Sequence, residues 1–369
     1  MTLPLYQHDV PKTMPDGGHR GLWYNRFFDR YDSNWIVPDT GKSDWIKDNA
    51  KKTGDSTALD AAAIRHLMLI TALGGRGAVF KVDWHFATGL GLAHPVENGL
   101  AWHHTLGVPY LAGSAVKGLI RAWIEVWDES LTDEIKKQQR LDHWFGNNEQ
   151  SGAFIFFDAL PIQPVTLAAD VMTPHMGKWY EKGGEIQNWH NEPEHVPADW
   201  HAPVPVPFLI AKQPKLLFGI APRCAKFASE LKDVFAALKS ALEWLGAGAK
   251  TAVGYGVMQI DDKETTYLTE ECHKLKMQEQ DNTLTLEQRV LRDMRVAFEQ
   301  ECESNRKPDA GGAFMADIRR LLNDGIAWPD AERIALADLI KQVYDYNGWG
   351  NADKKRERKA LVEKLRTGN

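Results

Sequence analysis

Every run with strand character in this chain lies before Asp262. After it, residues 284–303, 313–323, 331–344 and 353–366 carry helical periodicity, with no strand candidate among them. A sheet-containing part therefore comes first and an all-helical extension second. Within the first part, apolar residues at three- and four-residue steps predict a helix over 58–73, stopped by Gly74-Gly75. The β-rich run 78–87 reads as a strand. Residues 115–127 predict an amphipathic helix, with Val116, Leu119, Ile120, Trp123 and Trp127 on one face and Lys117, Arg121 and Glu125 on another. Residues 154–157 form a short apolar strand, and 207–211 and 215–220 form two more. A helix over 226–245 ends at Gly246 and leads through a glycine-rich loop into a last strand.

The order is strand, helix, strand, insertion, strand pair, helix, strand. It suits an α+β fold of two fused ferredoxin-like (RRM-like) modules, each a sheet with helices on one face. The expected organisation is an irregular N-terminal segment (1–57), a first module (58–160), a Pro/His-rich insertion (161–206), a second module (207–262) and the all-helical C-terminal extension (263–369). The insertion shows little periodicity, and loops of that length are usually functional or disordered.

Composition removes several classes of function. Hydrophobic residues at 43% and charged residues at 25% are ordinary globular values, which excludes bulk disorder. A net charge of −6 excludes a histone-like mode of holding nucleic acid, but not a local basic groove. There is no 18-residue apolar run, so no membrane span is expected. The first residues lack an apolar signal region, so the cytoplasm is the expected compartment. Cys224, Cys272 and Cys302 are far apart and odd in number, so they build neither a disulfide framework nor a CxxC knuckle. Packing accounts for most of the 14 Trp; base stacking is the alternative for a few.

Two glycine motifs carry possible chemistry. The run Gly246-Ala247-Gly248-Ala249-Lys250-Thr251 fails as a P-loop. Ala249 stands where glycine is needed, and the loop joins helix to strand rather than strand to helix. With Gly254, Tyr255 and Gly256 close behind, it offers backbone N–H groups and one cation, which suits a phosphate. Equally, it could be a tight turn that seats a helix on a sheet. The second motif is Gly113-Ser114-Ala115-Val116-Lys117-Gly118. It predicts Ser114 as a helix N-cap, with free N–H groups that attract phosphate. Lys117 and Arg121, one turn apart, could follow a nucleic-acid backbone, or Arg121 could simply pair with Glu125.

Taken together, Gly-Ser-x-x-Lys-Gly-x-x-Arg at 113–121 and Gly-x-Gly-x-Lys-Thr-x-x-Gly-Tyr-Gly at 246–256 resemble the hallmark motifs of the RAMP superfamily of CRISPR RNA-guided complexes. The stretches GLGLAHPVENGLAWHHTLGVPYLAGS, GAFIFFDALP and ADVMTPHMGKWY…PVPVPFLIA resemble, within it, the subunit-six family of type III-B (Cmr) effector complexes. The resemblance covers about 78–260 and has no motif after 262. Ala112 stands where the family commonly has Pro, and Ala115-Val116 replaces the commoner Ser-Leu. It implies two fused ferredoxin-like modules and a non-catalytic antiviral role gripping CRISPR guide RNA. The implied partners are that guide RNA, target RNA in the guide duplex and neighbouring RAMP subunits. The RNA-binding residues it implies are Gly113, Ser114, Lys117, Arg121, Gly246, Gly248, Lys250, Thr251, Gly254 and Tyr255.

In the insertion, His175, His190, His195 and His201 sit near Asp170, Glu192, Glu194 and Asp199. No pair has the usual ligand spacing, so neither metal nor cofactor is expected. The resemblance suggests that His175, Lys178, Trp179 and Tyr180 touch RNA or a neighbouring subunit; a solvated loop is the alternative. His175 also supports a rival reading, a metal-independent RAMP endoribonuclease that processes CRISPR RNA precursors, although no acid–base partner is visible for it.

Overall fold

The computed structural model describes residues 11, 13–129, 132–198, 201–303 and 312–368. The chain forms two units, Met1–Cys272 and His273–Asn369. In the first, α1 (Arg20–Arg26), α2 (Asp39–Asn49) and β1 (Lys52–Thr53) precede α3 (Ser56–Ala72), β2 (Arg76–Val82) and β3 (His85–Phe86). Then come α4 (Gly113–Val126), α5 (Glu134–Phe145), β4 (Phe154–Phe156), β5 (Leu160–Pro161), β6 (Val165–Met172) and α6 (Gly177–Lys182). The unit continues through β7 (Val206–Lys212), β8 (Lys215–Pro222), α7 (Leu231–Trp244) and β9 (Met258–Ile260) into the start of α8 (Asp262–Thr283).

The larger sheet has the strand order β4-β8-β2-β9, antiparallel throughout, with β5 also paired to β8. Its elements follow the chain as β2-α4-β4-β8-α7-β9, a β-α-β-β-α-β succession. Strand alternation divides its side chains between two cores. Ala78, Phe80, Val82, Leu216, Phe218 and Ile220 share a core with Val116 and Ile120 of α4 and Val234 and Leu238 of α7. Val79 and Leu217 join Ala63, Ile64 and Leu67 of α3, with Leu268 and Cys272 of α8. Gly77 and Gly219 pair across β2 and β8. A Cβ there would meet Leu67 at 2.6 Å and Ile70 at 2.2 Å, so this glycine pair lets α3 lie directly on the sheet. Both faces of this sheet therefore carry helices, α4 and α7 on one and α3 with the start of α8 on the other.

The smaller sheet has the order β1-β6-β7-β3, also antiparallel. Its β6–β7 hairpin runs in register from Thr166↔Lys212 to Met172↔Val206, and residues 173–198 and 201–205 belong to its tip. Val165, Leu167 and Leu209 pack with Trp45 and Ile46 of α2. On the other side, Phe208 and Ile210 pack with Ala87 and Tyr255.

The structure revises the expected organisation in four places. The modules do not follow one another along the chain: β2 and β4, expected in the first, pair with β8, expected in the second. The expected 78–87 strand divides into β2 and β3, which belong to different sheets. The run 161–206 begins with the eight-residue β6, because its alternating Val165 and Leu167 have a core to face. The N-terminal 57 residues are likewise not irregular throughout. Short α1 and α2 place Tyr24, Trp45 and Ile46 in the main core, and α5 inserts Leu141, Trp144 and Phe145. Tertiary burial stabilises helices too short to show a period.

The second unit comprises the rest of α8 with α9 (Leu286–Glu303), α10 (Ala313–Asp324), α11 (Asp330–Asn347) and α12 (Ala352–Thr367). Ile318, Leu322, Leu336, Ile340, Val343 and Leu365 form its core. Buried Arg333 donates to the carbonyls of Leu365 and Arg366 at 3.0 and 2.8 Å, satisfying the last turn of α12. Within the basic run of α12, Arg358 lies over Tyr344 and Lys359 over Trp349, so part of that charge serves packing.

Candidate nucleic-acid interface

The loop between α7 and β9 holds an unusual run of left-handed backbone. Gly246, Gly248, Gly254 and Gly256 have φ of 72°, 94°, 88° and 71°, and Lys250 has φ 60°. A Cβ on Gly256 would meet the Ala247 carbonyl oxygen at 1.8 Å, and one on Gly248 would meet that of Ala87 at 2.2 Å. Part of the loop is tied down by backbone bonds from Ala247 to Gly256, Ala249 to Ala87 and Gly256 to His85. Among the described residues, the N–H groups of Gly248, Lys250, Thr251 and Ala252 find no acceptor. Successive N–H groups released by alternating backbone hand make an anion-binding concavity. Lys250, a non-glycine residue held left-handed, stores strain of about 1–2 kcal/mol, a common mark of functional loops. Its Nζ lies 5.4 Å above the Phe208 ring, beside the loop.

The α4 motif is built differently. Its N-cap is Ala112, and no side chain caps the helix at that position; Ser114 is exposed in the first turn instead of serving as the cap. Gly113 packs against the chain after β4, where a Cβ would meet the Phe156 carbonyl oxygen at 2.3 Å. Its N–H donates to the Asp158 carboxylate at 2.6 Å. A protein anion thus already occupies the helix end that sequence offered to phosphate. Lys117 is exposed, and Arg121 lies 3.8 Å from Glu125 one turn on.

A groove of about 620 Å³ brings the two motifs together. One wall is the Ala115, Leu119 and Ala122 face of α4, and the other is Gly246, Ala247, Gly248, Thr251 and Ala252. Trp244, 76% exposed at the end of α7, borders it. Lys117 and Arg121 stand two positions on from Ala115 and Leu119, roughly 200° around the helix, so they face away from the groove. The structure therefore joins Gly246, Gly248 and Thr251 to α4, but not through the two α4 cations.

Behind the loop, Tyr255 is buried and donates its phenol to Asp170 of β6. Burial, then this bond, raises its pKa well above the ordinary range. His85 Nδ1 lies 3.5 Å from the same carboxylate, and Trp84, half exposed, stacks on His85 at 4.0 Å. Tyr255 is thus an anchor between loop and smaller sheet. Trp244 and Asp158 escape sequence reading, as do the places of Asp170 and Trp84 behind the loop; only Trp244, next to the glycine run, leaves a local sign.

The hairpin tip carries the remaining candidates. His175, Lys178, Trp179 and Tyr180 are all exposed, on or just before the six-residue α6. Lys178 donates to Glu194 at 2.9 Å, and this bond lowers the Glu194 pKa. His175 Nδ1 lies 3.5 Å from the His201 carbonyl oxygen. Among the described residues, no three His, Cys, Asp or Glu side chains are grouped to hold a metal.

The profile of the RAMP superfamily matches residues 67–259, more than half of the chain, and the chain belongs to that superfamily. It is similar to the CRISPR system Cmr subunit Cmr6 of Pyrococcus furiosus, at 27% identity over 235 residues, which are 48% of this chain and 65% of that protein. It is also similar to the CMR subunit Cmr6 of Saccharolobus solfataricus, at 32% identity over 84 residues, 22% of this chain and 27% of that one. The chain thus spans less than two thirds of either relative. Among solved structures, a chain of the type III-B Cmr-beta complex bound to cognate target RNA matches with a TM-score of 0.45 and 19% identity, over 63% of this chain and 76% of that one. Among the described residues, no helix is long and apolar enough to cross a membrane.

Proposed function

We propose that this chain is a non-catalytic, guide-RNA-binding subunit of a type III-B (Cmr) CRISPR effector complex, acting in antiviral defence in the cytoplasm. The observation that carries the reading is the groove between α4 and the glycine loop, with its four open N–H groups and exposed Trp244. Its chemistry is independent of base sequence: N–H donors and Lys250 take phosphates, and Trp244 offers a face for a base. Target RNA then reaches the protein through pairing with the guide. The outer face of α4, with Lys117 and Arg121, and the hairpin tip, with His175, Lys178, Trp179 and Tyr180, meet more RNA or neighbouring RAMP subunits. In this reading the smaller sheet, covered by α2, is a reduced second module of the ferredoxin-like kind. The similarity to two Cmr6 proteins supports the choice of complex.

The rival, an endoribonuclease using His175, has weaker support. Acid–base cleavage needs a second positioned group. Among the described residues, the His175 ring meets a backbone carbonyl and no second ionisable group. Fluorescence anisotropy with guide-length single-stranded RNA, followed by a cleavage assay with and without magnesium, tests both readings. The expected result is RNA binding that weakens in Lys250→Ala and Trp244→Ala, with the RNA left intact. A discrete product that disappears in His175→Ala would replace this reading with the nuclease.

A further inference from the structure

A second cavity, of about 340 Å³, lies between the start of α1, β1 and the turn after His103. It shares no lining residue with the groove. Its lining includes His19, Arg20, Lys52, Thr53, Asp55 and Gly107. Thr53 Oγ1 donates to the Gly107 carbonyl at 2.8 Å and ties two of its walls together.

The charges of this cavity do not cancel. Arg20 is half-buried, and its Nε is shielded from solvent with no hydrogen-bond partner among the described residues. Burial lowers its pKa, and no carboxylate offsets that. Both ring nitrogens of His19 are engaged: Nδ1 accepts from Leu22 N–H at 2.9 Å, and Nε2 lies 3.1 Å from the His103 carbonyl oxygen. The carboxylate in the lining, Asp55, accepts from Ala58 N–H at 2.8 Å as the cap of α3. Lys52 adds a second cation, with no ion pair among the described residues. Among the described residues the Arg20 Nε is left without a partner, and an anion on the guanidinium fork would supply charge-assisted hydrogen bonds there.

We propose that this cavity binds a phosphoryl group carried on a single nucleotide. The planar fork of Arg20 suits phosphate oxygens, with Lys52 as a second, point-like charge. The volume is near the lower end of the roughly 300–1,000 Å³ range of ligand pockets, which suits one nucleotide rather than a duplex. The nucleotide is either the phosphorylated end of an RNA or a free nucleotide. The first source rests on the RNA-binding reading above; the second does not.

The test is calorimetric titration of the full chain with adenosine monophosphate, inorganic phosphate and adenosine. The first two bind and raise the melting temperature, and adenosine does neither. Arg20→Gln weakens adenosine monophosphate at least tenfold and Lys52→Gln about threefold, and Lys232→Gln, at an exposed position outside both cavities, leaves it unchanged. RNAs with phosphorylated and hydroxyl ends then separate the sources. Tighter binding of the phosphorylated ends, lost in Arg20→Gln, assigns an RNA end, and equal binding assigns a free nucleotide. The proposal falls if neither phosphate compound binds, or if folded Arg20→Gln binds as wild type does. Should Arg20→Gln not fold, unchanged affinity in the exposed-site variant Lys52→Gln overturns it. Loss of single-stranded RNA binding in Lys250→Ala reads the groove, and loss of adenosine monophosphate binding in Arg20→Gln reads this cavity, so failure here and failure of the RNA-binding reading give different patterns.

Discussion

The two glycine motifs look alike in sequence, each a glycine-rich run with a lysine, yet they solve opposite problems. At the start of α4, the glycine permits close packing, and Asp158 takes the N–H that an external anion would have used. In the 246–256 loop, glycines hold the backbone left-handed, and four N–H groups stay open. Composition and spacing do not separate these cases. The position of one carboxylate, 45 residues downstream of Gly113, does.

The widest separation between the motifs is expected in stability. Gly256→Ala puts a Cβ 1.8 Å from the Ala247 carbonyl oxygen in left-handed backbone, and should cost roughly 2–4 kcal/mol. Gly118→Ala adds a Cβ to open space inside a helix and should stabilise by about 1 kcal/mol. Urea titration followed by tryptophan fluorescence reads both. Two changes of the same sign would end the distinction between a loop built on glycine and a helix that merely contains one.

RNA affinity should separate the lysines next. Lys250→Ala is expected to weaken single-stranded RNA about tenfold, or about 1.4 kcal/mol. It should also flatten the salt dependence by roughly 0.7. Lys117→Ala and Arg121→Ala, on the face turned from the groove, should stay within about threefold. Anisotropy across a salt series decides, and equal losses at Lys117 and Lys250 would move the RNA path onto the outer face of α4.

Much of the element content was legible because periodicity is local. Leu59, Ala63, Leu67 and Ile70 mark α3 without knowledge of their partners, and the four extension helices fall within a few residues of the expected spans. Sheet membership was not legible. A run such as 78–87 gives no sign that Trp84 interrupts it and sends β3 to another sheet. The strand β6 hid in a proline- and histidine-rich stretch because half its residues face away from the core. At the site, the glycine run of the loop was legible in sequence as a tight turn, which the structure holds left-handed. The anion at α4 and the Asp158 bond were not, since they depend on distant segments meeting.

Asp158→Asn tests the α4 side directly. Replacing the carboxylate by a neutral acceptor should cost about 0.5–1 kcal/mol of stability, as for a weakened helix cap. It should also leave the helix terminus more attractive to phosphate, strengthening RNA binding about two- to threefold. Denaturation and anisotropy on the same variant check both signs. Weaker RNA binding in the folded variant would show that Asp158 organises the interface instead of shielding the helix end.

The smallest effect is expected from pH. His66 Nε2 bonds the Asp158 carbonyl, and His94 Nε2 bonds the Tyr24 carbonyl while its Nδ1 accepts from Val96 N–H. Burial lowers the pKa of His66, His94 and His103. For a histidine whose folded pKa is lowered, the unfolded chain takes up the proton first. Its stabilising contribution is therefore complete above the unfolded value of about 6.5 and is lost as pH falls through the lower folded value. The urea midpoint of the first unit should stay level from pH 8 to 7 and fall below about 6.5, with a shallower fall in His94→Gln. His66 and His103 belong to the Asp158 side, so mild acid places charge around the α4 terminus while the strained loop keeps its backbone geometry. A midpoint that rises on acidification, or a His94→Gln slope equal to wild type, would show that these rings are not held neutral by the fold.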